Sequence, residues 1–490
     1  MIQQVKVNMP VRTSLRTSLF AAVGVMLTAM QTTTLSAETL VDVVQETLST
    51  NPELSAIRFN RKAIDHELTA ARGLQLPTVD VRSDIGRHRD YSRTNTGIIT
   101  GGDYHTHEGV QGVISQRLFD GFEAWSEIER QKNRVESARW RVMDTANSVA
   151  LRAAQAFFEL QRARAVLKSA KSNLSAHRGL LDRVRSRVDG GRGVSSDLFE
   201  AQSRFAQAEA LVVESEGRLM DADALFRSVV GRGPGNLQPA GPPSVGRPRS
   251  VENAVKEAIE FSPSVLATER DVAAADAAVD SARSRIMPRL NLELSTDRAW
   301  NAVEYGDRSI DMRAMLVVKW NLFNGGLDKA RIWEAKSRSL EAAEISANTR
   351  RIVERETRTS WNAIDSASGR VPLLRRQVDK TRATREAYIS QFDTGSRRLL
   401  DLLNVQSELF VAEATLRNEE FVKIYNSYRL LAAMGVLVPA LGLQPPPEAA
   451  LSHAPTIVDG WRDGWESTRQ SSSSRESNDW SRATEVVRVK

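Results

Sequence analysis

Residues 122–190 contain no proline and place apolar or small side chains at alternating steps of three and four, from Val135 through Leu160 and Leu174 to Val188. That spacing is a heptad, the pattern of a helix that winds against others, and alternating large residues with alanine lets a partner backbone come close. One extra residue between Val149 and Ala153 shifts the phase. At 1.5 Å per residue the stretch would be roughly 100 Å long. After Gly190-Gly191-Arg192-Gly193 a second three-four run begins at Leu198 and ends at Phe226. Two such helices joined by a glycine turn make an antiparallel hairpin, with Gly191 and Gly193 at its tip.

The chain then repeats itself. Asn51-Pro52 and Pro77 return as Ser262-Pro263 and Pro288, an offset of 211, and Leu118-Phe119-Asp120-Gly121 returns as Leu322-Phe323-Asn324-Gly325, an offset of 204. The offset of 204 also relates Asp197-Leu198 to Asp401-Leu402 and Gly231 to Gly435, so 118–231 matches 322–435 without a gap. Two copies make a duplication rather than a solenoid. In the second copy the helical tip falls at Thr394-Gly395-Ser396, and Gly369 and Pro372 interrupt the long helix where the first copy has no proline.

Between the prolines and the Leu-Phe pairs the period changes to two. Leu290, Leu292 and Leu294 alternate with Asn291, Glu293 and Ser295, and Val79, Val81 and Ile85 alternate with Asp80, Arg82 and Asp84. Such runs are strands with one apolar and one polar face, close to the 9–11 residues a tilted membrane strand needs. The reading is a β-hairpin at about 76–119 before a helical hairpin at 122–230, and a β-hairpin at about 289–321 before a helical hairpin at 327–434. The repeats span 38–231 and 251–436, joined by a proline-rich linker at 232–250. Four strands cannot close a barrel, and open edges are not tolerated in lipid, so strands entering a membrane must be pooled from several copies.

Lys6, Arg12 and Arg16 precede an apolar run from Leu19 to Met30, and Leu35-Ser36-Ala37 is a small-residue cleavage site. Residues 1–37 therefore read as a secretory signal peptide. Its three basic residues account for half of the formal charge of +6. Elsewhere Arg and Glu interleave along helices, a solvated face rather than a phosphate-binding patch, which argues against nucleic acid. Cysteine is absent, which excludes disulfides, thiolate metal sites and a lipid-modified N-terminus. The six histidines have no zinc-ligand spacing, and no nucleophile elbow or kinase signature occurs. No catalytic, cofactor or metal residues are assigned. Residues 437–490, with Pro445-Pro446-Pro447 and serines 471–474, read as a disordered tail.

The duplicated layout, Leu118-Phe119-Asp120-Gly121, and Phe392-Asp393-Thr394-Gly395-Ser396-Arg397 leading into Asp401-Leu402-Leu403-Asn404 resemble the TolC-type outer-membrane channel family over residues 38–437. The resemblance implies a mainly α fold with β: long coiled-coil hairpins, and four strands per chain in a twelve-stranded barrel shared by a homotrimer. It implies an outer-membrane location with a large periplasmic tunnel and no enzymatic activity. The implied partners are outer-membrane lipid, a periplasmic adaptor and an inner-membrane transporter of the ABC type, in type I protein secretion or, alternatively, multidrug efflux. It also implies a periplasmic gate at the helical tips. Asp401 and Asn404 match an acidic pair at the constriction, with only the first acidic here. Arg397 matches a basic residue facing Ser196-Asp197, and Phe392 stands where the family has a tyrosine. The rival from another class is a periplasmic coiled-coil adaptor or scaffold, which leaves the two alternating hairpins unexplained.

Overall fold

The computed structural model describes residues 37–89, 91–93, 99–101, 104–243, 248–300 and 308–450; residues 1–36 of the proposed signal and 451–490 of the proposed tail lie outside them. Each repeat has the same order of elements. The first runs α1 (Leu40–Thr50), α2 (Pro52–Gly73), β1 (Thr78–His88), a small ribbon of β2 (Tyr91–Arg93) and β3 (Ile99–Gly101), β4 (His105–Phe119), α3 (Glu123–Asp189) and α4 (Ser195–Val230). The second runs α5 (Val251–Phe261), α6 (Pro263–Arg283), β5 (Arg289–Trp300), β6 (Arg308–Lys319), α7 (Leu327–Asp393) and α8 (Leu399–Ala433). Both long helices have 67 residues.

The helices α1 and α5 extend the duplication upstream of the prolines, at the same offset of 211. Asn51 ends α1 by donating its N–H to Thr47 and starts α2 by accepting at its side chain from the N–H groups of Glu53 and Leu54. Pro52 at the first helical position has no N–H to leave unsatisfied, so the chain turns between two helices without loss.

The expected interruption of α7 does not break it. The helix continues through Gly369 and Pro372 to Asp393, with Val371 and Val378 buried against Leu409, Ala412 and Leu416 of α8. Packing along the hairpin offsets the one hydrogen bond that proline removes.

A second difference lies at the C-terminal end. Residues 437–449, assigned to the disordered tail, fold as α9 (Leu437–Ala440) and a 3₁₀ turn (Pro447–Ala449) against the helices. Leu437 and Val438 are fully buried, in one core with Leu40, Val149, Phe157 and Phe226. Asn147 of α3 donates to the Gly435 carbonyl at 3.1 Å and accepts from the Val438 N–H at 3.1 Å. Further on, Glu448 pairs with Arg58 at 2.7 Å and Lys62 at 3.6 Å, both on α2. Burial pushes the Glu448 carboxyl up, but the Arg58 hydrogen bonds and the two positive charges outweigh it and hold it below its ordinary value. Glu38 adds an N-terminal tie, bonded through its backbone to Asn236 and Gln238 of the linker and through its carboxylate to Arg232.

The four long strands form one antiparallel sheet in the order β1-β4-β5-β6. The register places Val79, Ile114, Leu294 and Ala314 in one row, and Val81, Gly112, Thr296 and Met312 in the next. On the opposite face stand Asp80, Arg82, Asp84, Glu293, Asp297, Asp311 and Arg313. The apolar face is bare: Val81 is 76% exposed and Met312 78%. Trp300 and Trp320 flank it at opposite ends. The guanidinium of Arg298 lies 4.8 Å from the Trp300 ring, and Trp320 Nε1 donates to the Ile286 carbonyl at 3.0 Å. The outer strands, β1 and β6, each pair on one side alone, so that among the described residues the sheet has two open edges.

Candidate functional site at the helical tips

The two helical hairpins of a chain end together. Gly191 and Gly395 turn with φ of +71° and +80°, which side chains rarely adopt. Gly193 serves a different need: a Cβ there would stand 2.9 Å from Val188 Cγ2, so the chain can double back only without one. Below the turns a small apolar core joins all four helices. Phe392 of α7 is buried with Leu180, Leu181 and Val184 of α3, Ala201 of α4, and Leu399, Leu402 and Leu403 of α8.

Two arginines of α3 fasten this core. Arg187 Nη2 donates to the Phe392 carbonyl at 2.7 Å, and its guanidinium lies 4.1 Å from the centre of the Phe392 ring. Arg183 pairs with Asp393 at 2.9 Å. Arg187 thus caps the C-terminal carbonyls of a neighbouring helix, where the helix dipole leaves partial negative charge. Phe392 lacks the tyrosine hydroxyl, and its ring and carbonyl make the junction instead.

The other residues singled out in the sequence divide into two groups. Arg397, in the turn before α8, lies with its guanidinium 3.8 Å from the Tyr388 ring and 3.5 Å from Asp401. Both partners belong to its own hairpin, and among the described residues nothing joins it to Ser196 or Asp197 within the chain. Ser196 is exposed, and Asp197 closes the first turn of α4 by donating its N–H to the Val194 carbonyl. Asp401 is 42% exposed in the first turn of α8. Asn404 bridges the hairpins, accepting at 3.3 Å from Arg204 of α4. Further from the tip, Gln406 donates to Asn173 at 2.9 Å, both buried, beside a polar cavity of about 420 Å³ that Ser169, Ser172, Arg382 and Glu413 also line. His177 is buried on α3, and burial, then the charge of Arg204, hold its imidazole below the ordinary histidine value.

Sequence reasoning missed Arg183, Arg187 and Tyr388. Nothing distinguishes Arg187 from Arg185 in a run where arginine recurs on the solvated face; only the approach of α7 selects it. Tyr388 carried a usable signal, an aromatic one helical turn before Phe392.

The arrangement holds no candidate catalytic group, and no cluster of metal-ligating side chains occurs among the described residues. It is a packed junction of two hairpins, with half-exposed carboxylates at Asp393 and Asp401. The family model described as outer membrane efflux protein matches residues 43–232 and 254–436. The outer membrane efflux protein BepC of Brucella suis is 25% identical over 87% of this chain and 91% of its own length. The outer membrane protein TolC of Vibrio cholerae is 22% identical over 82% of this chain and 91% of its own. Among solved structures, the CmeC outer membrane channel of Campylobacter jejuni superposes with a TM-score of 0.73 at 14% identity, covering 81% of this chain and 86% of the other.

Proposed function

The chain belongs to the outer membrane efflux protein family, and from that premise we propose that three copies form one export conduit, gated at the helical tips. Membership makes it an outer-membrane transport channel rather than an enzyme. The observation that carries the trimeric reading is the unfinished sheet. Four strands with two open edges and a bare apolar face cannot rest in lipid, whereas twelve strands from three copies close into a barrel with the charged face inward. Trp300 and Trp320 then mark the two membrane interfaces, and the helices continue the conduit into the periplasm.

At the tips, three Asp401 carboxylates around one axis repel one another and attract cations. Asn404, a turn further on, keeps the second position neutral. Purified protein in planar bilayers is expected to give discrete, cation-selective openings, and Asp401→Ala to reduce that selectivity several-fold. Openings indifferent to the substitution would remove Asp401 from the constriction and leave the channel; a well-folded sample that never inserts would overturn the channel itself.

The conduit joins a periplasmic adaptor and an inner-membrane ABC transporter, and its cargo is protein, in type I secretion. The absence of cysteine supports this reading, because it rules out the acylated anchor of lipid-attached efflux channels. The likeness to an efflux protein favours small toxic molecules as the second reading. Deleting the gene separates them. Loss of one or a few secreted proteins, with unchanged drug susceptibility, supports secretion. The reverse pattern rejects it.

A further inference from the structure

Among the described residues, the apolar face of the sheet carries charge at one end only. Along β5 that face runs through Leu290, Leu292, Leu294 and Thr296 to Arg298 and Trp300, and along β6 it runs from Val318 to Ile310 and Arg308. It ends on β1 at Arg87. Three arginines thus stand in the last rows of an otherwise uncharged face, with Glu108 of β4, opposite Trp300, as its one acid. At that height the other face is acidic, with Asp84, Asp297 and Asp311, and Arg313 there is paired with Asp311 at 2.6 Å. Charge is therefore sorted both by face and by height.

Arg298 and Arg308 converge on one ring. Their guanidiniums lie 4.8 and 5.8 Å from the centre of the Trp300 ring. Both residues are exposed, and neither has a carboxylate within ion-pair distance among the described residues. Two cations braced on one aromatic side chain, with no counter-charge between them, form a receptor for an oxyanion. Guanidinium N–H groups meet phosphate oxygens two at a time, a geometry that an ammonium group does not offer.

The position along the strand supplies the class of ligand. The helices leave the sheet from its opposite end, so the Trp300 end is the one away from the periplasm. From Arg289 to Trp300, β5 has 12 residues. That is roughly 37 Å of strand. A tilt of about 40° reduces it to roughly 28 Å, close to the ~25 Å apolar band of outer-membrane barrels. The arginines accordingly stand where the headgroups of the outer leaflet begin, beside a tryptophan suited to that interface. In mid-bilayer they would be costly, and near the interface that cost largely disappears. At the periplasmic end this face closes with Leu290, Val318 and Trp320, and offers no cation to a phosphate of the inner leaflet.

We propose that Arg298 and Arg308, braced on Trp300, bind a phosphate of the phosphorylated glycolipid of the outer leaflet, one site per copy. The proposal rests on the barrel reading above, which turns this face to lipid.

Native mass spectrometry of the purified protein in detergent provides the test. Bisphosphorylated lipid A is expected to bind at concentrations at least ten-fold lower than fully dephosphorylated lipid A or phosphatidylglycerol. Arg298→Gln/Arg308→Gln is expected to lose that preference, whereas Arg313→Gln on the other face keeps it. Arg308→Lys, a milder change should the double variant fail to assemble, is expected to weaken binding of the phosphorylated lipid at least three-fold. Equal binding of the two forms of lipid A by wild type, or an unchanged preference in the variants of Arg298 and Arg308, would overturn the site. Phosphatidylglycerol bound as tightly as phosphorylated lipid A would overturn the assignment to the glycolipid. Protein that sediments as a monomer and takes up no lipid of any kind would overturn the barrel reading instead.

Discussion

Arg187→Ala is expected to raise the fraction of time the channel stands open by more than ten-fold. The side chain contributes a hydrogen bond from a charged group to the Phe392 carbonyl, of about 1.5–3 kcal/mol, and a cation–π contact of about 0.5–1 kcal/mol. Solvent reaches part of the site, so the lower ends of these ranges apply, giving about 2 kcal/mol in favour of separated hairpins. At about 1.4 kcal/mol per factor of ten, the open population rises some thirty-fold. Arg187→Lys keeps the charge and loses the flat fork that reaches carbonyl and ring together, so it falls between. Open probability in planar bilayers is the measurement. Closed-state behaviour identical to wild type in the alanine variant would mean that contacts between copies hold the tip, with the clamp inside each chain a bystander.

The second large effect concerns stability. Phe157 is fully buried midway along α3, here called the waist, edge-on to Phe158, whose ring in turn lies 5.3 Å from Tyr428. Around it stand alanines 150, 153, 154 and 156, whose short side chains have nothing to extend into a vacated space. Phe157→Ala should therefore leave a cavity that collapses poorly and cost about 3–5 kcal/mol per chain. A multi-chain membrane protein does not unfold in two states. The observable is the temperature at which the assembled form disappears from gels, expected to fall well below wild type. An unchanged temperature would show that the waist core does not limit the stability of the assembly.

Much of this was legible in the residues. The heptads and the doubled Leu-Phe-Asp/Asn-Gly turns carry both 67-residue helices, because a period sustained over many turns has few alternatives. The alternating strands and tip glycines were equally plain. The helices α1 and α5 were not, since eleven residues give little over three turns and a helix that short is set by what it packs on. The C-terminal segment was misread for a related reason. Its prolines and alanines look unstructured, and what orders it is the approach of Asn147 and Arg58, hundreds of residues away. At the site, the turn glycines follow from local backbone need. The partners of Arg183, Arg187 and Asn404 depend on how α3, α4, α7 and α8 meet, and no local pattern records that.

The clasp between Asn147 and the Gly435–Val438 segment bears on when the molecule can become itself. Its two sides lie 291 residues apart in the chain. Leu437 and Val438 complete a core begun by Leu40. Contacts closing so large a loop form late, after the entropy of bringing distant segments together has been met. The waist therefore stays incomplete until nearly the whole folded portion has been made and has crossed the inner membrane. Throughout that interval the bare strand edges and apolar sheet face are open to mispairing. A chain of this design needs escort on its way to the membrane, and the last turn of helix to arrive completes the helical core while the strand edges stay open.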